Sequence, residues 1–175
     1  TGERMNKFFY ELPLDSYYEP KLVKIIHSKK TDWIKYFNFD ATLVFPDILT
    51  RDPFYNWLFR NHPFKAGILR LPPHTIYNWH KDSNRGVCVN YLINHNSNND
   101  HCFFRDKQEV AHTITELYYT PGTRFLFNNQ EEHMVINLDT TRYLLTVEFI
   151  EDKNKLTYRQ LLDEIKEEYE PIQKR

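Results

Sequence analysis

From Ala66 to Ile150 the chain reads as a succession of short extended segments, and that succession leaves few folds open. Candidate strands run over 66–71, 75–80, 86–93, 101–105, 114–118, 123–128, 133–137 and 142–150. Turn-forming residues separate them, among them Pro72-Pro73, the stretch from Asn94 to Asp100, Pro121-Gly122 and Asp139. Eight strands at this spacing suit an antiparallel jelly roll, a cupin-like double-stranded β-helix. Only four glycines occur, so the tight turns must lean on Asn, Asp and Pro.

Helical periodicity is confined to the flanks. Residues 8–14 read as a short strand. A helix is expected over 19–29, where Pro20 suits the first turn and Leu22, Val23, Ile25 and Ile26 share a face. Residues 32–37 fit a further strand or a short helix. Residues 40–64 read as irregular: Phe45, Phe54, Tyr55, Trp57, Phe59 and Phe64 crowd a stretch interrupted by Pro46, Pro53 and Pro63, with room for a helix near 52–60. A last helix is expected over 156–169, capped by Thr157, with Leu161, Leu162, Ile165 and Tyr169 on one side. The expected organisation is a single domain. Its parts are an N-terminal region of helices and aromatic loop (1–65), a β core (66–150) and a C-terminal helix (151–175), the helices buttressing one sheet face.

A content of 41% hydrophobic residues excludes disorder. The formal charge of −1 carries no nucleic-acid signal. No apolar run reaches the ~20 residues of a membrane span, and the first residues contain no signal-peptide core, so a cytoplasmic protein is expected, with Met5 one candidate for a native start. The two cysteines, Cys88 and Cys102, form no CxxC arrangement and read as free thiols in a reducing compartment.

The chemistry concentrates in Trp79-His80-Lys81-Asp82. An HxD pair alone is weak, since about half of random chains of this composition would hold one; a hydrogen-bonded pair at a strand end explains it equally well. Its context adds weight. In an extended segment, residues two apart face the same way, so His80 and Asp82 aim an imidazole and a carboxylate at one point. His133 opens a later strand, and the four intervening strands suit a barrel that returns both ends to one mouth. Two histidines and one carboxylate make a set that leaves positions open on a metal, suited to non-haem Fe(II). Arg142 begins the final strand, and the alternation there allows either Leu144 and Thr146 or Tyr143 and Leu145 to point inward. An inward guanidinium demands a carboxylate partner, from protein or ligand.

These pieces resemble the Fe(II)- and 2-oxoglutarate-dependent dioxygenase superfamily, nearest its aspartyl/asparaginyl hydroxylase-like and prolyl-hydroxylase-like groups. The resemblance rests on Leu71-Pro72-Pro73-His74-Thr75 before His80-Lys81-Asp82, Asn90-Tyr91-Leu92-Ile93, Asn99-Asp100-His101-Cys102-Phe103-Phe104, Pro121-Gly122-Thr123-Arg124-Phe125-Leu126-Phe127, and His133-Met134-Val135-Ile136-Asn137 followed by Arg142. It implies that His80, Asp82 and His133 hold Fe(II), that 2-oxoglutarate chelates the iron and sets its far carboxylate on Arg142, and that O2 takes the remaining position. The products would be succinate, CO2 and an oxidised substrate, either a small molecule or a peptide or protein side chain. Halogenating relatives replace the carboxylate ligand with a small residue, so Asp82 favours hydroxylation. Where some relatives carry a second basic residue this chain has Val89; Arg85 is nearer, as a substitute, a residue behind the metal, or a side chain facing solvent.

Several further positions are expected to contribute. Tyr77 and Asn90 are candidates for contact with the cosubstrate, and Trp79 for packing against a ligand and fixing its orientation. Asn128 and Asn129 read as turn residues. Phe54, Tyr55 and Trp57 offer a substrate lid or, equally, core packing. His95, His101, Cys88 and Cys102 match no standard zinc spacing. Two other functions compete: a cupin-like metalloenzyme that does not use 2-oxoglutarate, and a non-catalytic module that binds carboxylates.

Overall fold

The computed structural model describes residues 6–13, 18–36, 38–93, 100–119 and 122–174. In chain order the elements are β1 (Phe9–Pro13), α1 (Glu19–His27), β2 (Ile34–Lys35), β3 (Asp40–Val44), α2 (Pro46–Leu49), α3 (Pro53–Asn61) and β4 (Phe64–Leu71). Then come β5 (Thr75–His80), β6 (Val87–Leu92), β7 (Asp100–Lys107), β8 (His112–Leu117), β9 (Thr123–Asn128), β10 (His133–Asn137) and β11 (Arg142–Phe149). The chain closes with α4 (Tyr158–Glu164), a π-helical turn (Ile165–Tyr169) and α5 (Glu170–Gln173). Leu14, His95, the rest of 94–99, and Pro121, all used in the sequence reading, lie outside the described residues.

The strands form two antiparallel sheets. The major sheet runs β1-β9-β6-β11-β4-β3-β2 and the minor sheet β5-β10-β7-β8. From β4 to β11 the chain crosses between the sheets at every step except the β7–β8 hairpin, which stays in the minor sheet, the order of a double-stranded β-helix, and each strand matches one of the eight expected segments to within two residues. The outer face of the major sheet buries Ile68, Val89, Tyr91, Leu126, Leu145 and Val147 against α1, α3 and α4. Between the sheets lies a smaller core containing Cys88, Phe104, Leu117, Phe125 and Leu144. The helices therefore buttress one sheet and leave the interior of the β-helix to the site.

Capping fixes the helices that do this. Asp52 accepts bonds from the amides of Phe54 (2.8 Å) and Tyr55 (3.2 Å), and Pro53 opens α3 without wasting a donor. Thr157 and Gln160 form a reciprocal capping box at the start of α4. Pro171, which cannot donate to the carbonyl four residues back, follows the widened π-helical turn.

Residues 40–64 are ordered structure rather than an irregular stretch. Strand β3 escaped the sequence reading because its alternation is inverted in hydrophobicity: Thr42 and Val44 are buried, while Leu43 is 62% exposed. The lid reading of Phe54, Tyr55 and Trp57 is corrected. Phe54 and Tyr55 on α3 are fully buried, and Trp57 packs half-buried against Tyr169, so all three hold α3 to the core. The aromatic residue that reaches the cavity from this side is Phe39, immediately before β3, which meets Tyr77 edge-on at 5.9 Å.

Two asparagines tie the ends of the β-helix together. Asn137 donates to the carbonyls of Leu71 (3.1 Å), Pro72 (2.7 Å) and Thr140 (2.8 Å), joining the β4–β5 turn to the β10–β11 turn. At the opposite end, the amide of Asp82 donates to the carbonyl of Asn129 (3.0 Å), and that of Asn129 to Gly86 (3.1 Å). Gly86 is required there because a Cβ would sit 2.4 Å from the Leu156 carbonyl oxygen.

Candidate metal centre

The second end of the β-helix carries the site. In the β5–β10 ladder His80 stands directly opposite His133, and the next pair is Tyr77 with Val135. Two residues of β5, Asn78 and Trp79, thus oppose one of β10, Met134, a β-bulge. Strict alternation would turn Tyr77 away from His80; the bulge brings both to the cavity, with ring centroids 4.2 Å apart. Trp79 does not pack on the ligand as expected. Its ring lies under the Arg105 guanidinium at 4.4 Å, and Tyr77 takes the bracing role.

The Nε2 atoms of His80 and His133 lie 3.5 and 3.4 Å from Oδ1 of Asp82. Adjacent donors bonded at roughly 2.1 Å to one octahedral ion would stand about 3 Å apart, so the three atoms fit a shared cation. Each imidazole is oriented from behind. Nδ1 of His80 lies 2.6 Å from the Asn78 carbonyl, and Nδ1 of His133 lies 2.8 Å from the Glu131 carbonyl. A carbonyl can only accept, so Nδ1 carries hydrogen and Nε2 is the ligating nitrogen. Edge contact with Phe127 at 4.9 Å fixes the His133 ring.

Asp82 is held as a carboxylate. Burial opposes its charge, but hydrogen bonding toward His133 and His80, with the adjacent Arg85 cation, holds its carboxyl far below the usual range. Its second oxygen, Oδ2, accepts from Nε of Arg85 (2.8 Å) and Nδ2 of Asn129 (2.9 Å), and Nη2 of Arg85 stands in ion-pair contact with it at 2.7 Å. Arg85 therefore sits behind the metal ligand. Asn129, read as a turn residue, was missed as a partner of Asp82; nothing in the local Asn-Asn-Gln sequence distinguishes the two roles.

A cavity of about 110 Å3 opens from this triad into the interior. Leu69, Leu71, Phe127, Val135 and Leu144 form apolar walls, and Arg142, Asn90, Tyr119 and Thr146 supply the polar groups. On β11 it is Leu144 and Thr146 that share the cavity with Arg142, which resolves the alternation. Nε of Arg142 donates to Asp100 at 2.8 Å, and Asp100 pairs with Asn137, at the far end of β10 from His133. The guanidinium also covers the ring of Tyr119 at 5.3 Å. Asn90 faces the same space, donating to the Tyr119 hydroxyl (3.2 Å) and accepting from the Cys88 thiol (3.3 Å). Tyr119 was not singled out from the sequence, where its neighbours carry no motif.

Among the described residues, His101, Cys88 and Cys102 form no metal cluster. Burial pushes the Cys102 thiol up to about 12 and raises that of Cys88, so neither is a ready thiolate. Nδ1 of His101 is engaged by Glu116 at 2.6 Å. Among the described residues, His80, Asp82 and His133 are the group that converges as metal donors. Among them too, no helix is long and apolar enough to cross a membrane.

No family model and no curated protein matches the chain. Solved structures do. A Pseudomonas putida prolyl-4-hydroxylase superposes with a TM-score of 0.62 at 13% identity, over 83% of this chain and 94% of that one. A Trichoplax adhaerens prolyl hydroxylase, in complex with a peptide fragment of a hypoxia inducible factor, gives 0.63 at 16% over 89% and 87%. The non-heme alpha ketoglutarate dependent epimerase SnoN of nogalamycin biosynthesis gives 0.56 at 9% over 83% and 78%. The chain has the double-stranded β-helix fold of the 2-oxoglutarate–Fe(II) oxygenases.

Proposed function

We propose that this protein is an Fe(II)- and 2-oxoglutarate-dependent oxygenase that hydroxylates its substrate. One observation carries the reading: the His80, Asp82 and His133 donors and the Arg142 guanidinium line a single, largely apolar cavity. A bound Fe(II) with 2-oxoglutarate and O2 would couple loss of CO2 from the oxoacid to oxidation of a substrate C–H bond, leaving succinate. The chain's own part is placement. Nε2 of each histidine and Oδ1 of Asp82 would hold the ion, a donor set that leaves coordination positions for other ligands. Arg142 receives the distal carboxylate, its Nε fixed by Asp100. Tyr77 and Asn90 border the cosubstrate, and the Leu and Phe walls keep bulk water out.

The prime substrate would approach from outside. A separate open groove of about 550 Å3 borders the triad, lined by Asn38, Asn78, Lys81, Ser83, Asn84 and Glu148. It runs beside β5, an edge strand of the minor sheet. An edge strand beside polar side chains suits an extended polypeptide, which can add main-chain bonds to the edge. The peptide-bound Trichoplax neighbour is consistent with that class.

Succinate release tests the reading. Protein supplied with Fe(II), 2-oxoglutarate and O2 should form succinate, faster with the right peptide pool than alone, and His133→Ala should abolish it. The Asp100 carboxylate already seated on Arg142 favours one competitor, a metalloenzyme needing no 2-oxoglutarate. Metal-dependent turnover that requires no cosubstrate and survives Arg142→Met would select that competitor.

A further inference from the structure

The inner cavity and the outer groove share Tyr77, His80, Asp82 and Arg85 as a common wall. Arg85 is the one cation in that wall, and its side chain is spent on a single atom. Nε donates to Oδ2 of Asp82 at 2.8 Å, with Nη2 in ion-pair contact at 2.7 Å, while Nη1 reaches the Thr146 hydroxyl at 3.4 Å. Nδ2 of Asn129 adds a second hydrogen bond to Oδ2 at 2.9 Å, from a residue only 1% exposed. The backbone repeats the fastening. Nε2 of Gln130 donates to the carbonyls of Asp82 (2.9 Å) and Arg85 (2.7 Å), so the loop that carries Asp82 cannot roll about its own axis.

We propose that Arg85 and Asn129 are positioning residues that restrict Asp82 to one-oxygen coordination of the metal and so preserve an open coordination position. A carboxylate oxygen offers about two lone-pair sites. The two hydrogen bonds on Oδ2, with the Arg85 charge beside it, leave it no lone pair to give a cation, whereas Oδ1 faces only the two imidazoles. A carboxylate free to turn can chelate through both oxygens, as carboxylates commonly do on divalent ions. On an octahedral ion already holding two histidines, that second oxygen would occupy one of the positions needed by a chelating oxoacid and a gas molecule together. The clamp therefore decides how many exogenous ligands the site admits, not merely whether it binds a metal.

This inference rests on the metal reading of the triad, and Co(II) separates the two. Co(II) resists air oxidation here and reports its coordination through weak visible bands. Wild-type protein should bind one Co(II) and change its visible spectrum when 2-oxoglutarate is added. Arg85→Gln and Asn129→Ala each remove donors from Oδ2. In each, Co(II) affinity should fall about 10- to 100-fold, and at saturating Co(II) the spectral response to 2-oxoglutarate should shrink or vanish. Arg85→Lys should restore part of it. A variant that merely loosened the fold would lower the melting temperature of the metal-free protein and leave the saturated spectrum alone, which overturns the proposal. So do both variants matching wild type, or both failing to fold. If wild type binds no Co(II), the metal reading falls and takes this inference with it.

Discussion

Asp82 gives its two oxygens to opposite partners: Oδ1 to Nε2 of His133 at 3.4 Å, and Oδ2 to the guanidinium of Arg85. One carboxylate thus joins the interior of the β-helix to the loop that closes it, and mutations on either side should be distinguishable.

Arg142→Lys keeps the charge but loses the planar fork and the Nε bond to Asp100. The KM for 2-oxoglutarate should rise by about tenfold or more, with Co(II) affinity unchanged. Initial-rate succinate assays and Co(II) titration check the two halves separately.

Phe54→Ala removes a fully buried ring from α3. It should cost about 3–5 kcal/mol of folding stability in urea titrations. Metal affinity of the remaining folded protein should not change, because the ring supports the major sheet and not the cavity.

Gly86→Ala forces a Cβ to within 2.4 Å of a backbone oxygen of Leu156. Since backbone cannot swing aside, the 82–86 loop must move, at a cost of about 1–3 kcal/mol. Co(II) titration of the variant should show weakened binding, because the loop carries Asp82.

His62 joins the end of α3 to two acids. Nδ1 meets Glu151 and Nε2 meets Glu164, both at 2.6 Å. Burial alone would lower its pKa, but bonds to Glu164 and Glu151 raise it above the ordinary imidazole value of 6.5. A raised folded value means the stabilisation is complete below the unfolded pKa and fades as pH rises through the folded one. His62→Gln should therefore lose about 2 kcal/mol near pH 6, and the gap to wild type should close at higher pH. Urea melts across that range measure it.

Much of this architecture was legible in the sequence because eight short segments, each with its own turn residues, leave little choice of fold. The convergence of His80, Asp82 and His133 was suggested not by the HxD pair alone, which is common, but by its place at a strand end with a histidine opening a strand four strands later. The failures share a cause, which is that contacts between segments override local pattern. Strand β3 hides its alternation by exposing Leu43 and burying Thr42. Tyr77 joins the site through a bulge that only the β10 register reveals. Trp79 turned to Arg105, and Asn129 acquired a partner far away in sequence. Phe54 and Tyr55 suit a lid and a core equally well until α3 is placed against the major sheet.

The proposed function requires that His80, Asp82 and His133 seat Fe(II) within reach of 2-oxoglutarate held by Arg142. Anaerobic titration of Fe(II) into protein with 2-oxoglutarate tests it most directly. The account predicts a weak visible charge-transfer band that saturates at one iron per chain and is absent in Asp82→Ala and His133→Ala. No band in the wild-type protein, or a band that both variants retain, would contradict it.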